Sequence, residues 1–600
     1  MITYRLTLAH PEAHLFAVEV TIPQPDPAGQ HFTLPAWIPG SYMIRDFAKH
    51  LITLHAESAG TPVALRKLDK QSWQAAPISA PLTLRYQVYA WDLSVRGAHF
   101  DTTHAYFNGT CLLLRISGQD HQPHRLLIER PSGAGYRDWQ LASTLPKVAD
   151  QAGLFGVFEC ANYLELVDHP VEIGRLIEIP FSVAGTPHRM VLQGRIPSLD
   201  RERLAADLER ICAQQVALFG ELPAMAEYLF LVTAVGEGYG GLEHRDGCSL
   251  LCRRDDLPKP GEREMSEGYR RFLGLCSHEY FHLWNVKRIR PQAFMDGGLE
   301  REVHTELLWA FEGITAYYDD RMLLRSGVIT PASWLELLAI SITRLQRNHG
   351  RRLQSLAESS FDAWTKFYQQ GENASNAIVS YYNKGALVAL ALDLTMRRDS
   401  NGRYTLDDLL RALWQHYGRS GKGVVEGEIE QLACTLTGLD LHPFFAQALH
   451  RCDELPLASL LADFGIVLHL RPPTGPEDNG GYRATPPPSP PPAYPHLGVT
   501  LAPGSEARIA SVAHQSLAEQ AGLAAGDQLV AVNGLRSERS NLWNQIAELP
   551  CGQPATLHAF RRDELLILHC TPQPAIANTC ELWLLPEPSP TVRQRREVFL

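Results

Sequence analysis

No apolar run in this chain approaches the length of a membrane span, so nothing in it predicts a transmembrane helix. The first ten residues, Met1 to His10, lack a basic stretch followed by an apolar one. They read as a first strand and not as a secretory signal. Cysteines are scattered: the eleven are an odd number, and only Cys248 and Cys252 lie close together, as CxxxC. No second pair completes a zinc ribbon, and Cys248 to Arg253 reads more simply as a strand. A reducing, cytoplasmic setting is expected. Without a secretory signal, the glycosylation-like triplets at Asn108 and Asn373 carry no weight. Positive charge is in deficit, with a net charge of −11, which argues against a general nucleic-acid binder.

What is present is ordinary for a soluble protein: 45% hydrophobic and 20% charged residues over a 600-residue chain, long enough for several domains. Residues 1–185 read as an all-β domain, with alternating runs at Leu15 to Ile22, Leu82 to Tyr89 and Cys111 to Ile116. An unusual apolar stretch, Ala36 to Asp46, turns at Pro39-Gly40. Residues 186–330 mix strand and helix. Asp200 to Phe219 is predicted helical, with Ser198 or Asp200 as N-cap. Tyr228 to Ala234 is a buried strand, and a Gly-rich loop from Gly236 to His244 follows. Residues 331–460 are helical, with apolar residues at helical spacing in Trp334 to Asn348, Tyr382 to Arg397, Leu406 to Tyr417 and Glu428 to Leu436. Residues 471–495 are proline-rich and read as an excursion or linker within a module at 461–576. Residues 577–600 form a C-terminal tail. The expected class is a multidomain α+β protein.

The most informative segment is His278-Glu279-Tyr280-Phe281-His282. It reads HExxH. Histidines four apart on a helix share one face, so both imidazoles can reach one metal ion, and the glutamate can act on a water at that metal. The preceding residues place Tyr269, Phe272, Leu273 and Cys276 at helical spacing. The helix is expected to run through Trp284 and to end before Pro291. A zinc ion held by two histidines needs a third protein ligand and an open position. Glu300, Glu302, Glu306 and Glu312 all follow, and spacing alone does not choose among them.

Three segments resemble those of gluzincin aminopeptidases. Trp309-Ala310-Phe311-Glu312-Gly313 resembles their W-x-x-E-G, which implies Glu312 as zinc ligand, with Glu306 in reserve. Gly240-Gly241-Leu242-Glu243-His244 is similar to their G-x-M-E-N, with Leu for Met and His for Asn. That implies Glu243 as the partner of the substrate's α-ammonium and the backbone of Gly240, Gly241 and Leu242 as a rail for the peptide. Tyr382-Asn383-Lys384-Gly385 resembles Y-x-K-G, which implies Tyr382 as oxyanion donor, with Tyr381 as competitor. Ser516 to Gly534 resembles the signature of a PDZ domain. Together with the segment 37–46 and Trp284 to Pro291, these motifs make the chain similar to the glycyl aminopeptidase family of PDZ-bearing zinc metallopeptidases.

That resemblance implies an N-terminal β domain, a thermolysin-like catalytic domain, a helical domain and a C-terminal PDZ domain. It implies one zinc per chain held by His278, His282 and Glu312, with Glu279 as general base. It also implies release of N-terminal glycine or alanine from peptides with a free amine. Tyr239 and Tyr106-Phe107 are candidate walls of the first-residue pocket, and each is also a candidate core residue. Arg288 and Arg290 would bind a carboxylate or brace the metal helix. The PDZ module would dock a C-terminal peptide near Leu497-Gly498-Val499 or serve as a packed accessory. The rival functions are a zinc endopeptidase and a PDZ adaptor on an inactive peptidase fold. Neither nucleic acid nor membrane is expected as a partner.

Overall fold

A computed structural model describes residues 1–487 and 493–600. It is a multidomain α+β architecture in two compact units, residues 1–303 with 413–424, and 304–412 with 425–600. Part of the proline-rich stretch, residues 488–492, lies outside the described residues.

The first unit begins with β structure. Its largest sheet has eight strands in the order Lys147–Ala149, Leu154–Cys160, His124–Glu129, Ile2–His10, Leu15–Ile22, Leu82–Tyr89, Leu51–Ser58 and Thr61–Val63. Strict alternation builds one buried face: Ile2, Tyr4, Leu6 and Leu8 point inward from the first strand. The predicted strands at Leu15–Ile22 and Leu82–Tyr89 form in register, with Val18 opposite Tyr86. The run at Cys111 to Ile116 departs from expectation. Gly109–Leu112 is a short helix, and only Arg115–Ile116 pairs as strand. All four helical residues are buried, so the apolar run reflects burial and not pleating.

A five-stranded mixed sheet follows, in the order Ile177–Val183, Thr186–Gln193, Tyr228–Val235, Gly247–Arg253, Gly240–His244. Its three middle strands are parallel and its two outer strands antiparallel. Tyr228–Val235 is central, which explains its continuous apolar run. The Gly-rich segment read as a loop is in part the edge strand Gly240–His244. Two glycines mask its strand character in the sequence.

Helix Arg201–Phe219 is capped by Asp200, whose carboxylate accepts from Arg203 N at 3.0 Å, and it stops at Gly220, φ +86°. Helix Glu267–Phe281 is capped by Ser266 and buries Tyr269, Phe272, Leu273 and Cys276, the predicted face. It ends three residues before the expected Trp284, whose ring instead stacks on Phe219 at 4.6 Å. His282 keeps helical dihedrals, and its N–H still donates to His278 O at 3.3 Å. The one-face relation of the two histidines therefore survives.

The second unit is helical up to Ala462. Helix Asn383–Asp399 is buried on nearly all sides, from Leu387 to Met396. Helices Thr315–Arg325, Pro331–Arg347 and Leu457–Ala462 pack against it. Residues 497–570 form a six-stranded sheet around a core of Leu497, Ile509, Leu529, Leu542, Ile546 and Leu557. The strand Ile466–Arg471 does not join that sheet. It pairs with Thr579–Leu584 from the final segment, which ends in helix Pro590–Phe599. No described helix is long and apolar enough to cross a membrane.

Candidate active site

Within the first unit, the metal helix presents His278, half-buried, and His282, buried, with ring centroids 4.7 Å apart. His282 Nδ1 lies 2.8 Å from the Asn285 carbonyl. A carbonyl only accepts, so Nδ1 carries the proton and Nε2 keeps its lone pair for a metal. Gln215 donates to the Ser277 carbonyl at 2.9 Å, and Tyr228 to the Glu279 carbonyl at 3.3 Å, so both sides of the motif are tied down. Val286, just beyond the helix, has φ +105°, a strained value for a β-branched residue.

Glu279 is buried and faces the edge strand. A Cβ on Gly241 would fall 2.0 Å from Glu279 Oε1. Only glycine lets that backbone lie against the carboxylate. Arg96 donates to the Gly241 carbonyl at 3.2 Å. Leu242 is buried, and Glu243, also buried, follows on the same strand. One oxygen of Glu243, one of Glu279 and one ring nitrogen of His282 lie within 4.8 Å of one another.

Glu243 is held from its other side by the apolar stretch 36–46. Gly40 has φ +90°, and a Cβ there would fall 2.3 Å from Glu243 Oε2. The stretch is anchored by Ala36 N to Leu299 O at 2.7 Å and Trp37 Nε1 to Gly298 O at 3.2 Å. His244, where the motif pattern has Asn, sits 3.4 Å from Asp168, which also binds the Lys287 ammonium at 2.8 Å. Burial alone would raise the Asp168 pKa, but Lys287 and His244 more than offset it and hold the carboxyl well below its usual range.

The other candidates resolve as follows. Arg288 braces the helix end: it donates to Leu283 O at 3.0 Å and pairs with Asp246 at 2.8 Å. Arg290 is partly buried, and burial lowers its pKa. Phe107 is core, packed edge-on against Phe16. Tyr106 donates to Val95 O at 3.0 Å and lines a small cavity with Glu172 and Ser249. Tyr239 is exposed and lies under the Arg271 guanidinium. Glu300 is engaged by Arg115.

Within the second unit, Glu312 is 1% exposed, on the π-helical turn Trp309–Ile314, whereas Glu306 is exposed. A Cβ on Gly313 would fall 2.6 Å from the Gly385 Cα. The two glycine-bearing motifs therefore touch backbone to backbone. Tyr382, half-buried, precedes that helix, and its hydroxyl lies 3.4 Å from that of Tyr368. Tyr381 is fully buried, and its hydroxyl has no hydrogen-bond partner among the described residues. Burial, then Tyr368 and Glu312, push its phenol pKa well above the usual value.

Sequence reasoning missed the partners that fix these groups: Asn285, Gly40, Asp168 and Lys287. The Pro39-Gly40 turn was the one visible signal.

Two family models match this chain: the peptidase M61 N-terminal domain over residues 3–175, and the M61 glycyl aminopeptidase over residues 271–388. An aminopeptidase N family protein from Idiomarina loihiensis, solved by crystallography, is 40% identical, with 100% of both chains covered and a TM-score of 0.94. An M1 zinc metallopeptidase from Deinococcus radiodurans is 14% identical over 76% of this chain and 94% of that one, with a TM-score of 0.47. No curated protein matches. The HExxH helix and the matched models define a metallopeptidase. The chain belongs to the M61 glycyl aminopeptidase family.

Proposed function

We propose that the protein is a zinc-dependent aminopeptidase that releases small N-terminal residues, glycine or alanine first, from peptides with a free amine. The observation that carries this reading is Glu243, a buried carboxylate held beside Glu279. Two carboxylates this close in a low-dielectric setting repel unless a cation neutralises them, and a substrate ammonium is such a cation.

His278, His282 and Glu312 would hold one zinc ion per chain. The donor set fits: two imidazoles and a carboxylate suit zinc and leave a position open. The Asn285 carbonyl sets the His282 tautomer that binding requires. When bound, zinc acidifies a water and polarises the scissile carbonyl. Glu279 takes the proton of the attacking water and passes it to the leaving amine. The Tyr382 phenol donates to the developing oxyanion. Tyr382 suits this role better than Tyr381 because it is the less buried of the two. Glu243 fixes the distance from amine to scissile bond, and Gly240, Gly241 and Leu242 pair with the peptide backbone along the strand edge.

We assign a thermolysin-like catalytic domain to residues 186–330 and a PDZ domain to 461–576, acting in a cytoplasmic setting. The separate core of residues 497–570 supports the PDZ assignment. An accessory role is favoured over peptide docking. Gly498 N–H already donates to His496 at 3.0 Å, and Asn376 of the helical part bonds both Val512 O and His514 N.

The test is a panel of glycyl, alanyl and bulkier amides, free and N-acetylated, with and without chelator. Chelator-sensitive cleavage of free glycyl and alanyl amides is expected. Equal cleavage of acetylated peptides would make the protein an endopeptidase. No cleavage and no metal would make it an adaptor.

A further inference from the structure

We propose that His99, Asp101 and His104 form a second metal site, selective for a divalent transition ion such as zinc, which shares no residue with the HExxH motif. The argument starts from a hairpin. Ala98–Phe100 pairs antiparallel with His104–Phe107, with His99 opposite Tyr106. Asp101 N–H donates to His104 O at 3.0 Å, so the chain turns tightly between them. Side chains two apart on a strand share a face, as do those directly opposite. His99, Asp101 and His104 therefore project together.

The side chains confirm the convergence. His99 Nε2 lies 3.2 Å from Asp101 Oδ2, and His104 Nδ1 lies 3.7 Å from Asp101 Oδ1. One ligand atom from each of the three lies within 4.8 Å of the others. The imidazoles stack at 4.8 Å, and each is only 4% exposed. Asp101 is fixed by Thr103, whose N–H and hydroxyl both donate to Oδ1 at 2.6 Å. A carboxylate oriented by outer donors beside two buried imidazoles is how metal sites are built.

Each ring also keeps one nitrogen unengaged: on the opposite edges from those near Asp101, His99 Nδ1 and His104 Nε2 are buried without a hydrogen-bond partner among the described residues. A structural histidine pair would normally be satisfied on both nitrogens. Two imidazoles and one carboxylate favour zinc, nickel or copper over calcium or magnesium.

Zinc uptake by equilibrium dialysis tests the site. A His278→Gln/His282→Gln variant lacks the proposed catalytic donors, and it is expected to retain about one zinc per chain. Adding His99→Asn and His104→Asn should remove that zinc, and Thr103→Val should weaken it about tenfold. Absence of zinc from the first variant, or zinc that persists after the second pair of changes, overturns the proposal. If the first variant does not fold, the full-length holoenzyme serves instead. His99→Asn should then lower its zinc content from about two to about one while leaving cleavage intact. Unchanged zinc content refutes the site.

Discussion

Replacing Gly40 by alanine tests the amine anchor without altering any group proposed to meet substrate. The new Cβ would lie 2.3 Å from Glu243 Oε2 and 2.6 Å from Oε1. Something has to move. At φ +90° the backbone itself resists a side chain, at a cost of about 1–3 kcal/mol. The easiest relaxation swings the Glu243 carboxylate away, because it is the free end of a side chain. A displaced carboxylate forfeits a charge-assisted bond to the substrate ammonium, worth about 1.5–3 kcal/mol. That corresponds to a loss of about 10- to 150-fold in kcat/KM. Steady-state kinetics on free glycyl and alanyl amides should read this loss, alongside a lowered thermal midpoint. Glu243→Ala should produce a similar kinetic loss without the backbone strain. If Gly40→Ala lowers the melting temperature but leaves kcat/KM within about twofold of wild type, Glu243 is not the anchor.

Glu279→Gln should reduce turnover by about 10²-fold or more while metal content is unchanged, read by rate and zinc assay together. Tyr382→Phe should lower kcat by about 10²–10³-fold. Tyr381→Phe removes a buried hydroxyl that has no hydrogen-bond partner among the described residues, so it should be neutral or stabilising in a melt. Gly313→Ala drives a Cβ to 2.6 Å from the Gly385 Cα, backbone against backbone, and should cost about 1–3 kcal/mol in urea unfolding. Burial, helped by Arg347, lowers the His496 pKa from 6.5 to about 4. Between those values the unfolded chain takes up a proton that the folded chain refuses. Stability should therefore fall as pH drops through that window, by up to about 2–3 kcal/mol, and His496→Gln should flatten the fall.

Much of this was legible in the sequence. Alternation marked Leu15–Ile22 and Leu82–Tyr89, and Asp200 was one of the two N-cap candidates that announced its helix. These features are set by local chemistry, so a local pattern finds them. The misses have a common cause. Cys111 to Ile116 is apolar because it is enclosed, and enclosure is indifferent to strand or helix. Gly240–His244 hid as a loop because it carries two glycines, of which Gly241 is needed where the backbone meets Glu279. The early end of the metal helix, at Phe281, follows from a tightening to three-residue backbone bonds, Leu283 N to Tyr280 O and Trp284 N to Phe281 O, that no periodicity encodes. In the candidate site, motif residues were readable, but their supports were not. Asp168 lies far from His244 in sequence, and Gly40 farther still from Glu243. Only folding makes them neighbours.

The contact between Gly313 and Gly385 has a consequence for how such motifs should be read. Both glycines sit inside segments that look like catalytic signatures, yet their requirement is steric: each leaves room for the other's main chain. A descendant that had lost peptide hydrolysis would still need both glycines to fold. Their presence in a distant sequence therefore testifies to architecture alone. Evidence of a working enzyme has to come from the positions free to vary once chemistry is abandoned, such as Glu312 and Tyr382.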